Sequence, residues 1–250
     1  MSGHSKWATI KHKKGAADAK RGKIFSRLAK EITIVVKAGG GDPGNNPSLR
    51  TLIQKAKSVN MPNDNIDRAI KKGTGELQAE SYEEVSYEGY AGGGVGLVVK
   101  ALTDNKNRAA AEIRNIFKKN NSDFAAQGAV SRNFERKGTI LIAREGRDED
   151  ALMEIVLNAG ADDMSSDDDG FEITCTPAAY NDVCAALEKA GIPTVSSECG
   201  LKAMTTTNIS DATVAKAVLK FVSMLEDNDD VQDIYHNMEV DDSIADQLDE

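Results

Sequence analysis

Residues 138–202 read GTILIAREGRDEDALMEIVLNAGADDMSSDDDGFEITCTPAAYNDVCAALEKAGIPTVSSECGLK. Four short runs in this stretch have the apolar patterning of strands, and two longer runs repeat apolar residues at the helical period. The predicted strands cover 139–143, 161–165, 171–176 and 194–201, and the predicted helices cover 148–158 and 178–189. This order, βαββαβ, is that of the ferredoxin-like motif. The stretch therefore predicts a complete folding unit.

The segments on either side of this unit predict a middle domain that the unit interrupts. Residues 82–90 and 95–103 are patterned as strands around Gly92-Gly-Gly94, which predicts a hairpin. A helix over 107–119 and a strand over 129–135 follow. After the interruption, a helix over 211–225 and a strand over 231–236 are expected to return to the sheet that begins near Tyr82. The ferredoxin-like unit is thus predicted to be an insertion.

The first 75 residues predict a helical unit. Ile24, Leu28, Ile32 and Val35 recur at helical spacing within a helix over 16–37. A second helix over 47–59 has Asn46 as its cap, and a third begins with Asn63 or Asp64 as its cap; Gly73 and Gly75 close the unit. The fold class is therefore multi-domain α+β: an N-terminal three-helix domain (1–77), a middle α+β domain (78–137 plus 203–250) and a third, ferredoxin-like domain (138–202) inserted in the second.

Charge is distributed unevenly along the chain. Residues 1–75 hold 16 Lys and Arg against 5 Asp and Glu, a net of +11, whereas residues 76–250 hold 15 against 35, a net of −20. The first fifteen residues, here called the arm, contain lysines and no acid. Because counterion release depends on how many phosphates a local surface neutralises, the basic end is the candidate for binding a polyanion. The acidic domains are candidates for a protein partner.

A second group of cations continues the charge of the arm. Lys20, Lys23, Arg27 and Lys30 follow one another at spacings of three, four and three, so they share one face of the first helix. We call this face the basic ridge. Trp7 lies between Lys6 and Lys11, where it can stack on an unpaired base or anchor the arm against the helical core. The sequence leaves both roles open.

The sequence gives little support to a catalytic, phosphate-loop or metal-binding function. The three histidines have no nucleophile or carboxylate partner at helical or strand spacing, so we expect no enzyme. The glycine-rich segment at 92–96 lies between strands and no Gly-Lys-Ser or Gly-Lys-Thr occurs, so a turn is favoured over a phosphate loop. Asp167-Asp-Asp169 is interpreted as a hairpin tip, and the spacing of the three cysteines fits no zinc site. We expect no cofactor, no metal and no membrane span, and a soluble, cytoplasmic protein.

Several long motifs resemble the YebC family. They are Gly3-His-Ser-Lys-Trp-Ala-Thr-Ile-Lys-His-Lys-Lys14, Asp18-Ala-Lys-Arg-Gly-Lys-Ile-Phe25, Asn60-Met-Pro-Asn-Asp-Asn-Ile66, Arg68-Ala-Ile-Lys-Lys-Gly73, Tyr87-Glu-Gly-Tyr90, Leu102-Thr-Asp-Asn-Lys-Asn-Arg108 and Phe134-Glu-Arg-Lys-Gly138. The resemblance implies a helical domain followed by two α+β domains, the third inserted in the second. It also implies a non-enzymatic regulator, usually described as a probable DNA-binding transcriptional regulator. Relatives that include a mitochondrial translational activator act on ribosomes instead and assist synthesis of difficult stretches such as prolines.

The sequence therefore predicts a non-catalytic nucleic-acid-binding regulator of gene expression. Double-stranded DNA is the first candidate target, and ribosomal RNA, bound by a translation factor, is the alternative. The predicted nucleic-acid-binding residues are Lys6, Trp7, Lys11, His12, Lys13, Lys14, Lys20, Arg21, Lys23, Arg27 and Lys30.

Overall fold

The computed structural model describes residues 21–78 and 81–248, which form a mixed α+β protein. The N-terminal unit consists of three helices: α1 (Arg21–Gly39), α2 (Pro47–Ser58) and α3 (Asn63–Thr74). Their apolar faces meet in one core that includes Leu28, Ile32 and Leu49. The apolar spacing had predicted all three helices. The predicted start of the first, at residues 16–20, lies outside the described residues.

The helix ends confirm some predicted caps and correct another. The Asn46 side-chain oxygen accepts a hydrogen bond from the backbone N–H of Leu49, which confirms it as the cap of α2. Neither Asn63 nor Asp64 caps α3; Pro62 precedes its first residue and offers no side-chain bond. Gly75 ends the helix at φ 85°, a left-handed conformation that glycine adopts without steric cost.

Gly73 does not close the unit but lies inside α3, where the helix touches α1. A Cβ at Gly73 would stand 2.6 Å from the Val36 Cβ and 2.7 Å from the Thr33 carbonyl oxygen. The Thr33 hydroxyl donates to the Ala69 carbonyl oxygen at 3.2 Å, one turn nearer the start of both helices. The absence of a side chain at Gly73 therefore allows the two helices to approach closely.

The middle unit is a four-stranded sheet covered by helices. Strands β1 (Glu83–Tyr90) and β2 (Gly96–Thr103) form the predicted antiparallel hairpin. Helix α4 (Lys106–Lys119) and the short strand β3 (Asp123–Ala125) follow. After the insertion, the chain forms β8 (Thr207–Ile209), α7 (Ala212–Glu226), β9 (Val231–His236) and β10 (Met238–Val240). The sheet order β3-β1-β2-β9 confirms that the segment after the insertion returns to this sheet.

The strand predicted over 129–135 is wrong. Residues 131–133 form a short 3-10 turn, and a single strand, β4 (Phe134–Ala143), begins immediately after it. The reason is the buried carboxylate of Glu88, which accepts hydrogen bonds from the backbone N–H groups of Gly128, Val130 and Ser131. These groups are therefore committed to a side chain and do not join a strand ladder.

The insertion has the predicted ferredoxin-like topology. After β4, the chain forms α5 (Glu149–Asn158), β5 (Ala161–Ser166), β6 (Gly170–Cys175), α6 (Tyr180–Lys189) and β7 (Ser196–Ala203). The sheet is antiparallel with strand order β5-β6-β4-β7, and its core contains Ile140, Phe171 and Val183. Asp167 accepts backbone bonds from Asp169 and Gly170, as expected of a hairpin tip.

The cores give the division of the chain a physical basis. One cluster draws on the N-terminal unit, a second on the insertion, and a third on the middle unit with the C-terminal segment. A smaller fourth cluster, which includes Val98, Phe134 and Leu201, joins the middle unit to the insertion. We propose the boundaries 1–77, 78–137 plus 203–250, and 138–202 on this ground. The paired ends of β4 and β7, Phe134 and Ala203, extend a few residues beyond the insertion so defined.

The acidic C-terminal segment packs on the middle unit as far as Leu248. Helix α8 (Asp242–Ala245) places Ile244 in the core, and Leu248 is also buried there. This segment is therefore part of the middle unit up to Leu248. Within residues 21–78 and 81–248, no helix is long and apolar enough to cross a membrane.

Candidate nucleic-acid interface

Most of the predicted binding residues lie outside the described part of the chain. They are Lys6, Trp7, Lys11, His12, Lys13, Lys14 and Lys20. Arg21 begins α1, but its side chain is not described. The structure therefore places three members of the predicted set: Lys23, Arg27 and Lys30.

These three side chains contact the middle unit at the end of α7. The Lys23 ammonium donates to the Asp227 carbonyl oxygen at 2.7 Å and lies 3.4 Å from a carboxylate oxygen of the same residue. The Arg27 guanidinium donates to the Glu226 carbonyl oxygen. The last carbonyls of a helix lack intrahelical partners and carry the negative end of the helix dipole, so cations are favoured there. These two side chains of the ridge therefore bind the end of a helix in the same chain.

Lys30 makes the most buried of these contacts. Its ammonium donates to the Asp229 carbonyl oxygen at 2.9 Å, lies 3.1 Å from an Asp230 carboxylate oxygen, and stands 5.4 Å from the centroid of the Tyr82 ring. The Lys30 side chain is 17% exposed and that of Asp230 is 6% exposed. An ion pair so withdrawn from water is screened less by salt than the outer pair of Lys23.

Asp230 connects this contact to the middle unit. Its other carboxylate oxygen accepts from the Thr103 hydroxyl at 2.9 Å and from the Arg108 guanidinium at 2.8 Å. Burial alone would raise the pKa of Asp230, but the hydrogen bonds from Arg108, Thr103 and Lys30 outweigh it and hold the pKa below its usual value. The motif that contains Thr103 and Arg108 thus holds in place the carboxylate that Lys30 binds.

Apart from Lys37 near the end of α1, the exposed cations among the described residues of the N-terminal unit lie on the other two helices. They are Arg50, Lys55 and Lys57 on α2, and Arg68, Lys71 and Lys72 on α3. Arg68 and Lys72 are one helical turn apart and form no ion pair with any residue in the described ranges. They were not among the predicted binding residues, although their spacing of four within Arg68-Ala-Ile-Lys-Lys-Gly73 places them on one helix face.

Two concave surfaces accompany these cations. A pocket of about 210 Å³ lies between α1 and α3; its lining comprises Phe25, Ser26, Ala29, Met61, Asn65, Arg68, Ala69 and Lys72. A wider groove of about 670 Å³ lies between α2 and α3; its lining includes Arg50, Lys57 and the acidic Asp67. No carboxylate is present among the described residues that line the smaller pocket.

The described residues offer no evident centre for metal chemistry. Within 21–78 and 81–248, no group of three or more His, Cys, Asp or Glu side chains is arranged to hold a metal ion. Cys175 is buried, and burial raises the pKa of its thiol to about 11, so it is protonated at neutral pH.

The fold and the charge define a class: a multi-domain α+β protein whose basic helical unit is joined to two acidic units. Residues 5–76 match the family model described as the TACO1/YebC protein N-terminal domain. Residues 82–238 match the model described as the TACO1/YebC second and third domain. The chain belongs to the TACO1/YebC family, which confirms the resemblance found from the motifs.

Similar proteins agree with this assignment over nearly the whole chain. A probable transcriptional regulatory protein of Geobacter sulfurreducens is 51% identical over 96% of this chain and 96% of its own length. One from Desulfotalea psychrophila is 49% identical over 99% of each chain. The crystal structure of a conserved hypothetical protein from Aquifex aeolicus matches with a TM-score of 0.79 and 43% identity, covering 90% of this chain and 93% of that one.

Proposed function

We propose that this chain is a non-catalytic, DNA-binding regulator of transcription that contacts nucleic acid through its N-terminal domain. The observation that carries the proposal is the net charge of +11 over residues 1–75, against −20 over the rest. Exposed cations on α2 and α3 add described positions to the lysines of the arm. The names of the relatives, probable transcriptional regulatory proteins, support the same function.

The proposed binding mode is docking on phosphates by the arm together with α3. Lysines and arginines that neutralise phosphates release counterions, which supplies affinity without reading sequence. Phe25 and Ser26 lie near the start of α1, close in sequence to the lysines of the arm, and line one pocket with Arg68 and Lys72 of α3. The described part of the basic ridge, by contrast, already has partners at the last residue of α7 and in the segment that follows it, so its role in nucleic-acid binding requires that this contact open.

A second candidate is a translation factor that binds ribosomal RNA. The side chains of α3 favour this candidate. Asn65 and Arg68 are the main base-reading candidates on α3, and they line a pocket instead of forming a protruding recognition face. Structured RNA is recognised largely at unpaired bases and by backbone contacts, which this arrangement suits.

Crosslinking in cells, followed by sequencing of the bound nucleic acid, tests the proposal. Promoter DNA bound through the N-terminal domain is the expected result. Recovery of ribosomal RNA alone would overturn the transcriptional proposal in favour of the second candidate, and recovery of neither above the level of an arm-deleted control would overturn both.

A further inference from the structure

We infer that the pocket between α1 and α3 binds one unpaired nucleotide of a single-stranded nucleic acid. This inference rests on the proposed nucleic-acid-binding function and names the form of nucleic acid that the N-terminal domain recognises. The pocket is distinct from the basic ridge, whose described cations are bound to the end of α7.

The pocket lies beside the close contact of the two helices, on the side nearer their first turns. Close contact occurs at Gly73 and Val36, where glycine leaves no side chain between the helices. Nearer the start of both helices, the facing residues include Ala29 and Ala69, whose methyl groups do not fill the space. The opening is thus a consequence of small residues at the positions where α1 and α3 would otherwise interdigitate.

The floor of the pocket suits an aromatic base. Phe25 offers a ring, and Met61 and the two alanines complete an apolar surface. A base that stacks on an aromatic side chain gains affinity whatever its identity, because every base has a π-face. Met61 adds an adaptable thioether that packs well against rings.

The rim supplies groups for the polar parts of a nucleotide. Arg68 and Lys72, one turn apart on α3, are placed to contact successive phosphates. The Asn65 amide both donates and accepts, as a base edge requires. Among the described residues of the lining there is no carboxylate to repel a phosphate, whereas the larger groove between α2 and α3 includes Asp67. Charge complementarity therefore favours the smaller pocket.

An unpaired nucleotide fits this geometry better than a base pair does. A base inside a duplex is stacked on both faces, and its edge is paired, so neither Phe25 nor Asn65 could reach it without unstacking. Single strands and loops present bases that are already splayed out. The expected ligand is consequently a single strand of RNA or DNA, or an unpaired loop.

Fluorescence anisotropy on the full chain tests the inference with labelled single-stranded RNA, single-stranded DNA of the same sequence, and the corresponding DNA duplex. Replacing Arg68 and Lys72 together by alanine is expected to weaken single-strand binding about tenfold at moderate salt, because two phosphates are no longer neutralised. The matched control is Arg50→Ala with Lys57→Ala, which removes the same charge from the other groove. An equal weakening in both double variants would overturn the pocket, because it would show that only total charge matters.

A second variant tests the cavity instead of its charge. Ala29→Leu, which fills the pocket at a half-buried position, is expected to weaken binding of single strands while leaving duplex binding unchanged. Asn65→Ala provides the same comparison without added volume, and thermal unfolding shows whether each variant folds. Unchanged single-strand affinity in both folded variants would refute the pocket.

The oligonucleotides also separate this inference from the proposed function. If the unmodified chain binds duplex and single strands alike and the pocket variants keep both, the pocket is refuted and nucleic-acid binding stands. If the chain binds none of the three, both fail. Tighter binding of one single strand than of the other shows whether the pocket takes a nucleotide of RNA or of DNA, because the RNA backbone carries a 2′-hydroxyl that DNA lacks.

Discussion

Glu88 is the residue on which the start of the insertion depends. Its side chain is buried within the motif Tyr87-Glu-Gly-Tyr90, with the residue 2% exposed, and its two oxygens accept three backbone N–H bonds from Gly128, Val130 and Ser131 at 2.7 to 2.9 Å. Tyr90 supports the same segment through a hydrogen bond to the Ala129 carbonyl oxygen. The motif therefore fixes the path by which the chain enters β4.

Glu88→Gln is expected to destabilise the protein by about 1–3 kcal/mol. The amide presents an NH₂ group where the carboxylate accepts, so at least one of the buried N–H donors loses its partner. Urea unfolding measures the change. The control is Glu84→Gln on the same strand, an exposed side chain whose ion pair with Lys100 is worth about 0–1 kcal/mol. Equal destabilisation by the two variants would contradict the role given to Glu88.

The same carboxylate predicts a pH dependence. Burial would raise the pKa of Glu88, but the backbone hydrogen bonds outweigh it and lower the pKa below its ordinary value of 4.5. A group with a depressed folded-state pKa contributes stability that is present above the unfolded pKa and lost as pH falls through the folded pKa. The stability difference between wild type and Glu88→Gln should thus be full at neutral pH and shrink below about pH 4.5. Unfolding free energies measured across that range check the trend.

Replacing Gly73 by alanine is expected to lower stability, although the same replacement usually stabilises a helix. Alanine normally stabilises a helix by up to about 1 kcal/mol relative to glycine. At Gly73 the new Cβ would collide with Val36 and with the Thr33 carbonyl oxygen, so Gly73→Ala should destabilise the N-terminal unit. Gly22→Ala, in α1 with nothing within 4 Å of the added Cβ, is the matched control and should be neutral or stabilising. Thermal unfolding of both variants decides; stabilisation by Gly73→Ala would refute the close approach of the two helices.

At the scale of elements, the contact between α1 and the segment that follows α7 should depend on its innermost cation, Lys30. Lys30→Met removes the ammonium that Asp230 and the Asp229 carbonyl oxygen share and is expected to cost about 1–3 kcal/mol. Lys23→Met removes a more exposed pair and should cost at most about 1 kcal/mol. Hydrogen exchange of the backbone amides in α1 reports the loosening. Equal protection from exchange in the two variants would show that Lys30 does not hold α1 against the middle unit.

The elements themselves were predictable because their signals are local. The apolar spacing of α1 and the cap at Asn46 involve residues within a few positions of one another, and the βαββαβ order follows from successive patterns. The partners of the ridge were not predictable in this way. Lys23 and Asp227 are 204 residues apart in the chain, and no periodicity within α1 indicates which face meets a distant helix end. The false strand at 129–135 has the same cause, since Glu88 lies some forty residues earlier.

For the whole molecule, the candidate site depends on both kinds of information. Composition alone showed that positive charge is concentrated in residues 1–75 and that the remainder is acidic. The pocket required the structure, because Phe25, Ala29 and Arg68 meet only after α1 and α3 pack. The ridge could be identified from sequence as a charged face, but its described cations contact the end of α7 and the residues that follow it.

A charge reversal tests whether binding follows local or total charge. Lys11, Lys13 and Lys14 changed together to Glu should abolish nucleic-acid binding at moderate salt, because phosphate attraction is removed where the proposal places it. Reversal of Lys189, Lys216 and Lys220, exposed on α6 and α7, alters the net charge equally on the acidic units and should leave affinity nearly unchanged. Affinity falls with salt, and each phosphate that the protein no longer neutralises reduces the steepness of log affinity against log salt by about 0.9 for duplex DNA. The loss of three such contacts would therefore reduce the steepness of that negative slope by about three if any binding remains measurable. Equal effects of the two reversals would show that no local surface is responsible.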